Sequence, residues 1–560
     1  MSANRLAAAL LLVLLAFGVA RAAQLAWACD DAFISFRYAQ NLVEGHGLVY
    51  NVGERVEGYT NLLWTLMLAA GMAAGGDPIR IGAWLGIACY VGLAATLACI
   101  SWRRRERGQP FLPLAAGCVL VSPDFHDWAT GGLETSLFTW LATAALIASR
   151  AAAASRGAAL GAGALLSLLL LTRPDGLLFA GAAAGGLVLW PPRTAGATAT
   201  RRGAALLLVL PALTLAALVA WKLVYYGELL PTAFHSKSVL QPWYAQGLTY
   251  VGLYLAKNWF LALALAGAVA ARLARRGTGN DLDRDGAAYA AAATGFLLYI
   301  AHVGGDFMFA RRVLPAVPLL LLAIEGELVQ LPLRAARVAT LACVVAAALP
   351  YPVLGERALW RGVADERRFY PPRAVAARAL QGRTVSAALA GTGARVAYEG
   401  GMCAFGYYSG LPWLAEMTGL THYSLAKLPL EGRGRPGHEK KPTEAWLEEQ
   451  GVHFVVSQRF PPIPESPSDP FDRVRFGDTA AARIVRYDDA IMARLREQPG
   501  IRFTPIERVL AQRRREIERA DRAEAEAIYT RLAHYYLDGA GERGAAEARA
   551  LREIIEAKPH

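Results

Sequence analysis

The feature that most constrains this chain is the recurrence of long apolar runs along its first 353 residues. The run from Leu6 to Ala28 is long enough to cross the hydrocarbon core of a bilayer as a helix, which takes about 20 residues. Further runs of spanning or near-spanning length lie at 79–101, 110–123, 134–150, 157–172, 176–191, 203–225, 249–271, 287–302, 312–330 and 336–353. Inside a bilayer no water can satisfy an unpaired backbone N–H or C=O, so segments of this kind cross as helices. The chain therefore reads as a polytopic α-helical membrane protein of roughly eleven transmembrane helices. With 55% hydrophobic and only 19% charged residues, and a mean hydropathy of +0.28, it is too apolar over too much of its length for a soluble protein. The first run leads straight into an acidic loop and reads as an uncleaved first span rather than a signal peptide.

The net charge of +12 has its simplest reading as topogenic charge, because loops rich in Lys and Arg stay in the cytoplasm. No basic helix or zinc-ligand spacing accompanies it, which argues against nucleic acid as a partner. The basic clusters are Arg5, Arg103 to Arg105 with Arg107, Arg150 with Arg156, Arg193 with Arg201 and Arg202, Arg272 with Arg275 and Arg276, and Arg334 with Arg337. Eleven spans put all of them on one side only if residues 60–75 do not cross, and at about sixteen residues that stretch is short for a span. It reads as a helix along the outer leaflet. Six scattered cysteines without CxxC spacing predict neither a disulfide framework nor a thiolate metal site.

The same counting leaves residues 30–78 as a long first loop on the outer face. It opens with adjacent carboxylates, Asp30 and Asp31, where the chain leaves the bilayer, and ionisable groups there must be solvated, paired or used. One carboxylate could act as general base toward an acceptor hydroxyl while the other orients substrate or holds a metal. Alternatively, Asp31 caps the helix beginning at Ala32. Arg37 follows, and Arg55 and Glu57 lie in a turn punctuated by Gly53 and Gly58; all three are candidates for binding the phosphate or the rest of a substrate.

The remaining outer loops, 124–133, 173–176, 226–248 and 303–311, each carry carboxylate, His, Lys or Arg. Asp124, His126, Asp127 and Glu134 form a second acidic group, and Asp30, Asp31, Asp124 and Asp127 together could bind a divalent cation, Mg2+, Mn2+ or Ca2+, through oxygen ligands. Arg173 and Asp175 form either a local ion pair about Pro174 or part of a ligand site. His235, Lys237, Arg311 and Arg312 are candidates for gripping a phosphate, for which Arg offers a bidentate fork and Lys a point charge, and Asp306 is a candidate for binding the donor's sugar or substrate. Polar turns and interfacial snorkelling are the plain alternatives.

Past Tyr351 the chain becomes charged and Pro-rich. Residues 355–505 read as an outer α/β domain, with strands in RVAYEG (395–400) and HFVVSQ (453–458) and a helix in TEAWLEEQ (443–450). Residues 506–560 read as a tail of two helices broken at Gly539 to Gly541.

The stretch DDAFISFRYAQNLVEGHGLVYNVGERVEGYTNLLW, with GGLETSLF (131–138), LTRPDGLL (171–178), YYGELLPTAFHSKS (225–238), GGDFMFARRVLPAVPLLLL (304–322), YYSGLPWLAEMTGLT (407–421) and RPGHEKKPT (435–443), resembles membrane glycosyltransferases of the GT-C superfamily. It is most similar to the AftB-type arabinofuranosyltransferases of the cell wall, which use decaprenyl-phosphate arabinose. The resemblance implies a GT-C-like catalytic module over residues 1–354, a polyprenyl-phosphate sugar donor entering from the bilayer, and an acceptor on the periplasmic side. It also implies that the acidic pair, here Asp30 and Asp31, is catalytic.

Together these readings predict a bacterial plasma-membrane glycosyltransferase. It would move a sugar, arabinofuranose being one candidate, to a hydroxyl of a cell-envelope glycan, lipid or protein. The rival is a transporter or flippase of a lipid-linked or polar envelope substrate. Against it, the charges gather on one face rather than at the midplane, and no inverted repeats are evident.

Overall fold

The computed structural model of the chain describes residues 3–106, 109–275, 279–355, 359–457 and 472–559. Arg107, Arg276 and Gln458, named above, lie outside them. Helices form within every apolar run. By length and composition three of them can cross a membrane singly, Asn4–Gln24, Pro78–Arg105 and Ala197–Tyr226, and the number rises to five when each bent pair is one span. The expected count of roughly eleven is not reached on that measure, because several runs are short or broken. Leu62–Ala73 has only 12 residues, about 18 Å of helix against about 30 Å of hydrocarbon, so it fits the non-crossing role expected of residues 60–75.

Two corners shape the helical part. Helices Pro123–Thr130 and Thr135–Ser149 meet at 116° across the GGLE segment. Gly132 there has φ +77°, and a Cβ on it would lie 2.9 Å from that of Ala32, so glycine alone fits. The carbonyls of Gly131 and Gly132 accept from Cys29 N at 2.9 Å and Trp64 Nε1 at 2.9 Å, which ties the corner to the first loop. The second corner was read as one continuous span over 249–271. Instead Tyr244–Lys257 and Trp259–Ala274 bend by 87° at Asn258. Asp124 holds both corners together: it pairs with Lys257 at 2.5 Å and accepts from Asn258 Nδ2 at 3.1 Å.

Several arginines of the basic clusters are paired with acids. Arg150 pairs with Asp285, Arg272 and Arg275 with Glu327, and the Arg193 N–H donates to Asp281. The buried Arg104 reaches Glu325 at 2.9 Å, and Glu325 also accepts from Ser101 Oγ and Ala115 N. A buried pair this fully hydrogen-bonded is costly to break from one side only.

Beyond Val363 a six-stranded sheet runs in the order Leu414–Glu416, Val396–Tyr398, Phe454–Val456, Ala480–Ile484, Arg473–Phe476, Ile501–Phe503. Its first three strands are parallel and the rest antiparallel. The tail forms three helices, Ile506–Arg519, Arg522–Tyr535 and Gly541–Glu556, rather than two. The extra break falls at Asp521, whose side chain accepts from Glu524 N and caps a new helix.

The first loop and the sheet share one core. Arg37, 6% exposed, donates to the carbonyls of Tyr50, Gly406 and Leu411 at 2.7, 3.0 and 2.6 Å. Asn51 bonds both the N–H and the carbonyl of Leu414, and Trp413 Nε1 donates to Glu54. Residues that read as separate regions in sequence are thus bolted into one body.

Candidate functional site

Residues from each of the five loops assigned to one face meet around a cavity of about 570 Å³. Its lining includes the charged Asp31, Glu134, Arg173, Asp175, Lys237, Asp306, Arg311 and Arg312. It also includes the aliphatic Leu170, Leu171, Leu177, Leu178, Leu215 and Leu218, of which Leu177 is 52% exposed. Such a site suits a ligand with a polar head and an apolar tail.

Three of the acids stand where capping residues would. Asp31, Glu134 and Asp175 occupy the N-cap positions of helices Ala32–Val43, Thr135–Ser149 and Gly176–Leu189, yet none makes a side-chain cap hydrogen bond. The capping role open to Asp31 in the sequence is therefore not the one it takes. Glu134 and Asp175 go into a charge lattice instead. Arg173 pairs with both, Arg311 reaches Glu134 at 3.1 Å and Arg312 reaches Asp175 at 2.8 Å. Asn61 Nδ2 and Tyr299 Oη donate to Glu134 and Asp175 at 2.9 and 3.0 Å.

Asp31 and Lys237 are less committed. Burial pushes the Asp31 carboxyl up, while Lys237 and Arg311 pull it down. Burial likewise lowers Lys237, and Asp306 and Asp31 oppose the shift. The Lys237 ammonium lies 6.0 Å from the centre of the Phe307 ring and makes no ion pair or hydrogen bond among the described residues. Asp306 is held by the turn that carries it, accepting from Phe307 N at 2.8 Å, and lies 4.0 Å from Arg311. Two non-glycine residues with positive φ flank these cations, Ser238 at 45° after Lys237 and Ala310 at 66° before Arg311. Backbone strain of this kind collects at sites whose geometry is imposed from outside.

Asp30 does not line the cavity and is committed to backbone. Its oxygens accept from Cys403 N at 2.9 and 3.1 Å and from Ala404 N at 3.4 Å, so it caps helix Cys403–Ser409. Burial raises its carboxyl to about 6 against those hydrogen bonds.

Several expected site residues lie elsewhere. Arg37 holds three carbonyls and is no phosphate ligand. Arg55 covers the Tyr225 ring at 4.8 Å, and His235 packs edge-on near Tyr423; neither lines the cavity. Glu57 does line it, paired with Lys222 at 2.7 Å. The proposed four-carboxylate metal set does not assemble, since Asp124 clamps the corners and Asp127 lies 2.9 Å from Arg367. His126 is bound to the Leu120 carbonyl. Among the described residues, the group that could offer ligand atoms to a metal ion is Asp30, Asp31 and Cys403, within 4.8 Å of one another. It fits a hard cation poorly, because a thiol stands where oxygen is preferred and Asp30 already accepts N–H bonds.

Sequence reasoning overlooked Asn61, Lys222 and Tyr299 as neutral or isolated residues. It also overlooked the segment Arg433–Glu439, of which Arg433, Pro436, Gly437 and Glu439 line the cavity. Arg435 in that segment reaches Glu366 at 2.7 Å and covers Phe307 at 4.7 Å. The RPGHEKKPT motif was the available signal.

No family model matches the chain. A terminal beta-(1->2)-arabinofuranosyltransferase of Mycobacterium tuberculosis is 30% identical over 249 residues, 40% of this chain and 37% of the relative. One of the same name from Corynebacterium glutamicum is 28% identical over 329 residues, 51% of this chain and 46% of the relative. The chain thus spans less than half the length of the curated relatives it matches. Among solved structures, the apo oligosaccharyltransferase of Archaeoglobus fulgidus superposes with a TM-score of 0.51 at 9% identity, covering 80% of this chain and 69% of that one. At that identity the likeness is one of fold alone.

Proposed function

We propose that this chain, with its GT-C fold and its sequence similarity to arabinofuranosyltransferases, is a membrane glycosyltransferase that takes a sugar from a polyprenyl-phosphate donor and passes it to an acceptor hydroxyl of the cell envelope. A pentofuranose is the donor sugar favoured by the relatives' names. The observation that carries the reading is that Asp31, the unpaired Lys237 and a set of leucines line one cavity.

In this reading the prenyl chain lies along Leu170, Leu177, Leu215 and their neighbours, and the phosphate lies among Lys237, Arg311, Arg312 and Arg173. Arginines already paired keep further N–H donors for it. The N-termini of helices 135–149 and 176–189 add favourable dipoles for an anion.

The acceptor oxygen attacks the anomeric carbon, its proton passes to Asp31, and the bond to the phosphate oxygen breaks with the electron pair going to that oxygen. As Asp31 becomes neutral its charge no longer offsets the fields of Lys237 and Arg311, which then act on the oxygen that gains charge. Stabilisation that appears only as the leaving group develops lowers the barrier rather than the ground state. Asp30 serves as a positioning residue, anchoring the loop to helix Cys403–Ser409. The active face is the periplasmic one of a bacterial plasma membrane, by the distribution of basic loops.

Purified protein in detergent, given a polyprenyl-phosphate sugar and an acceptor, tests the reading through release of polyprenyl phosphate. A flippase, with no second compartment, would release none.

A further inference from the structure

A second cavity, of about 520 Å³, lies between the helical part and helix Pro372–Leu389. Its floor comes from the ends of two helices that can each cross a membrane, Asn4–Gln24 and Pro78–Arg105, through residues such as Ala23 and Ala83, and Val375 faces them from helix 372–389. Trp27 and Trp84 also line it, and Trp84 is 63% exposed, as aromatic residues at a bilayer interface are. Arg80 and Arg383 are its charged members. Both are exposed, and neither makes an ion pair among the described residues. Arg383 is set over the Tyr408 ring at 5.1 Å. The nearest acid on the same helix end, Asp77, accepts from Arg80 N at 3.0 Å and does not line the groove.

An apolar floor continuous with two spans and a rim with two unpaired guanidinium groups is complementary to an amphipathic anion. We propose that this groove holds an anionic glycerophospholipid of the bilayer, its phosphate gripped by Arg80 and Arg383 and an acyl chain laid over the Ala23 and Ala83 floor. Arg forks suit phosphate oxygens, and the binding leaves the sugar-donor cavity free.

The position gives the lipid an effect on the first loop. Helix 372–389 packs closely on helix Cys403–Ser409, where a Cβ on Gly382 would meet the Phe405 carbonyl oxygen at 2.8 Å, and the N-terminus of that second helix holds Asp30. A lipid wedged under helix 372–389 therefore braces the element that anchors Asp30. It needs no assumption about the reaction, so it stands or falls separately from the glycosyltransferase reading.

The test is native mass spectrometry of the full chain in detergent, titrated with phosphatidylglycerol or with phosphatidylcholine, for wild type and the Arg80→Gln/Arg383→Gln double variant. Both side chains are exposed, and matched melting temperatures without lipid confirm that the variant folds. The expected result is one tightly retained phosphatidylglycerol on wild type, weakened on the order of tenfold in the variant, and weaker binding of phosphatidylcholine that the substitutions do not change. Equal retention of phosphatidylglycerol by both proteins would overturn the proposal. So would phosphatidylcholine binding as tightly as phosphatidylglycerol, or displacement of phosphatidylglycerol by equimolar polyprenyl phosphate, which would make the groove a substrate site.

Discussion

The carboxylate of Asp30 accepts the backbone N–H of Cys403 at 2.9 Å, a bond that crosses 373 residues of chain and commits Asp30 to helix Cys403–Ser409 while its neighbour Asp31 lines the cavity. Two adjacent acids thereby acquire separate work, one locking the first loop to the helix after strand Val396–Tyr398 and the other lining the cavity.

That division predicts opposite phenotypes. Asp31→Asn is expected to lower kcat by about 100-fold or more, the usual contribution of a general base, with little change in melting temperature. Asp30→Asn keeps an oxygen acceptor for Cys403 N and is expected to retain most activity, whereas Asp30→Ala loses it and destabilises by about 1–3 kcal/mol. Thermal melts alongside initial rates check all three.

Stability should also depend on pH through Asp30. Its carboxyl is raised in the fold from 3.8 to about 6, so the folded state binds the proton more tightly than the unfolded one. The stabilisation from that proton is complete below 3.8 and is lost as pH rises through about 6. Asp30→Asn, which mimics the protonated form, is therefore expected to gain in melting temperature relative to wild type between pH 5 and pH 8, an interval chosen to bracket the folded value.

Activity should follow a bell-shaped pH profile. Asp31 must be ionised to take a proton, and burial raises it, so the acid limb is expected above the ordinary carboxylate range. Lys237 must be charged, and burial lowers it, which places the alkaline limb below the ordinary lysine value. Lys237→Arg should carry that limb upward out of range, while Lys237→Gln should cut kcat by on the order of 100-fold, as loss of a preorganised charge does.

Ala310 at φ 66° offers a test of stored strain. Ala310→Gly removes a penalty of about 1 kcal/mol in the folded state, partly offset by a more flexible unfolded chain. Melting temperature should hold or rise while kcat falls, because Arg311 is less firmly aimed. Chemical denaturation and steady-state kinetics read the two effects.

Arg37 illustrates where sequence reasoning reaches its limit. A cation in an outer loop reads as a phosphate grip, because the carbonyls of Gly406 and Leu411 that consume it lie more than 360 positions away. Only tertiary contact reveals that. Arg37→Ala is expected to destabilise by about 2–4 kcal/mol, through buried carbonyls left unpaired, with the donor KM of the surviving folded protein unchanged.

The helical runs and the loops that line the cavity were legible because hydrophobic length and charge placement are local properties. Asp31, Arg173, Lys237, Asp306, Arg311 and Arg312 were found that way. The bends at Gly132 and Asn258 were not, since a corner inside an apolar run leaves hydropathy unchanged. The extra tail break at Asp521 was legible in principle, as an Asp three residues before Glu524 is a capping pattern. The separate fates of Asp30 and Asp31 depend on which way adjacent side chains point, and no spacing rule supplies that.

The most direct measurement is release of polyprenyl phosphate from a polyprenyl-phosphate pentofuranose by purified wild type, Asp31→Asn and Asp30→Asn proteins in detergent, each shown to be folded by a cooperative thermal melt above the assay temperature. The expected result is acceptor-dependent release by wild type and Asp30→Asn, and release slowed by about 100-fold or more in Asp31→Asn. Release by Asp31→Asn at the wild-type rate would contradict the assignment of Asp31 as the base.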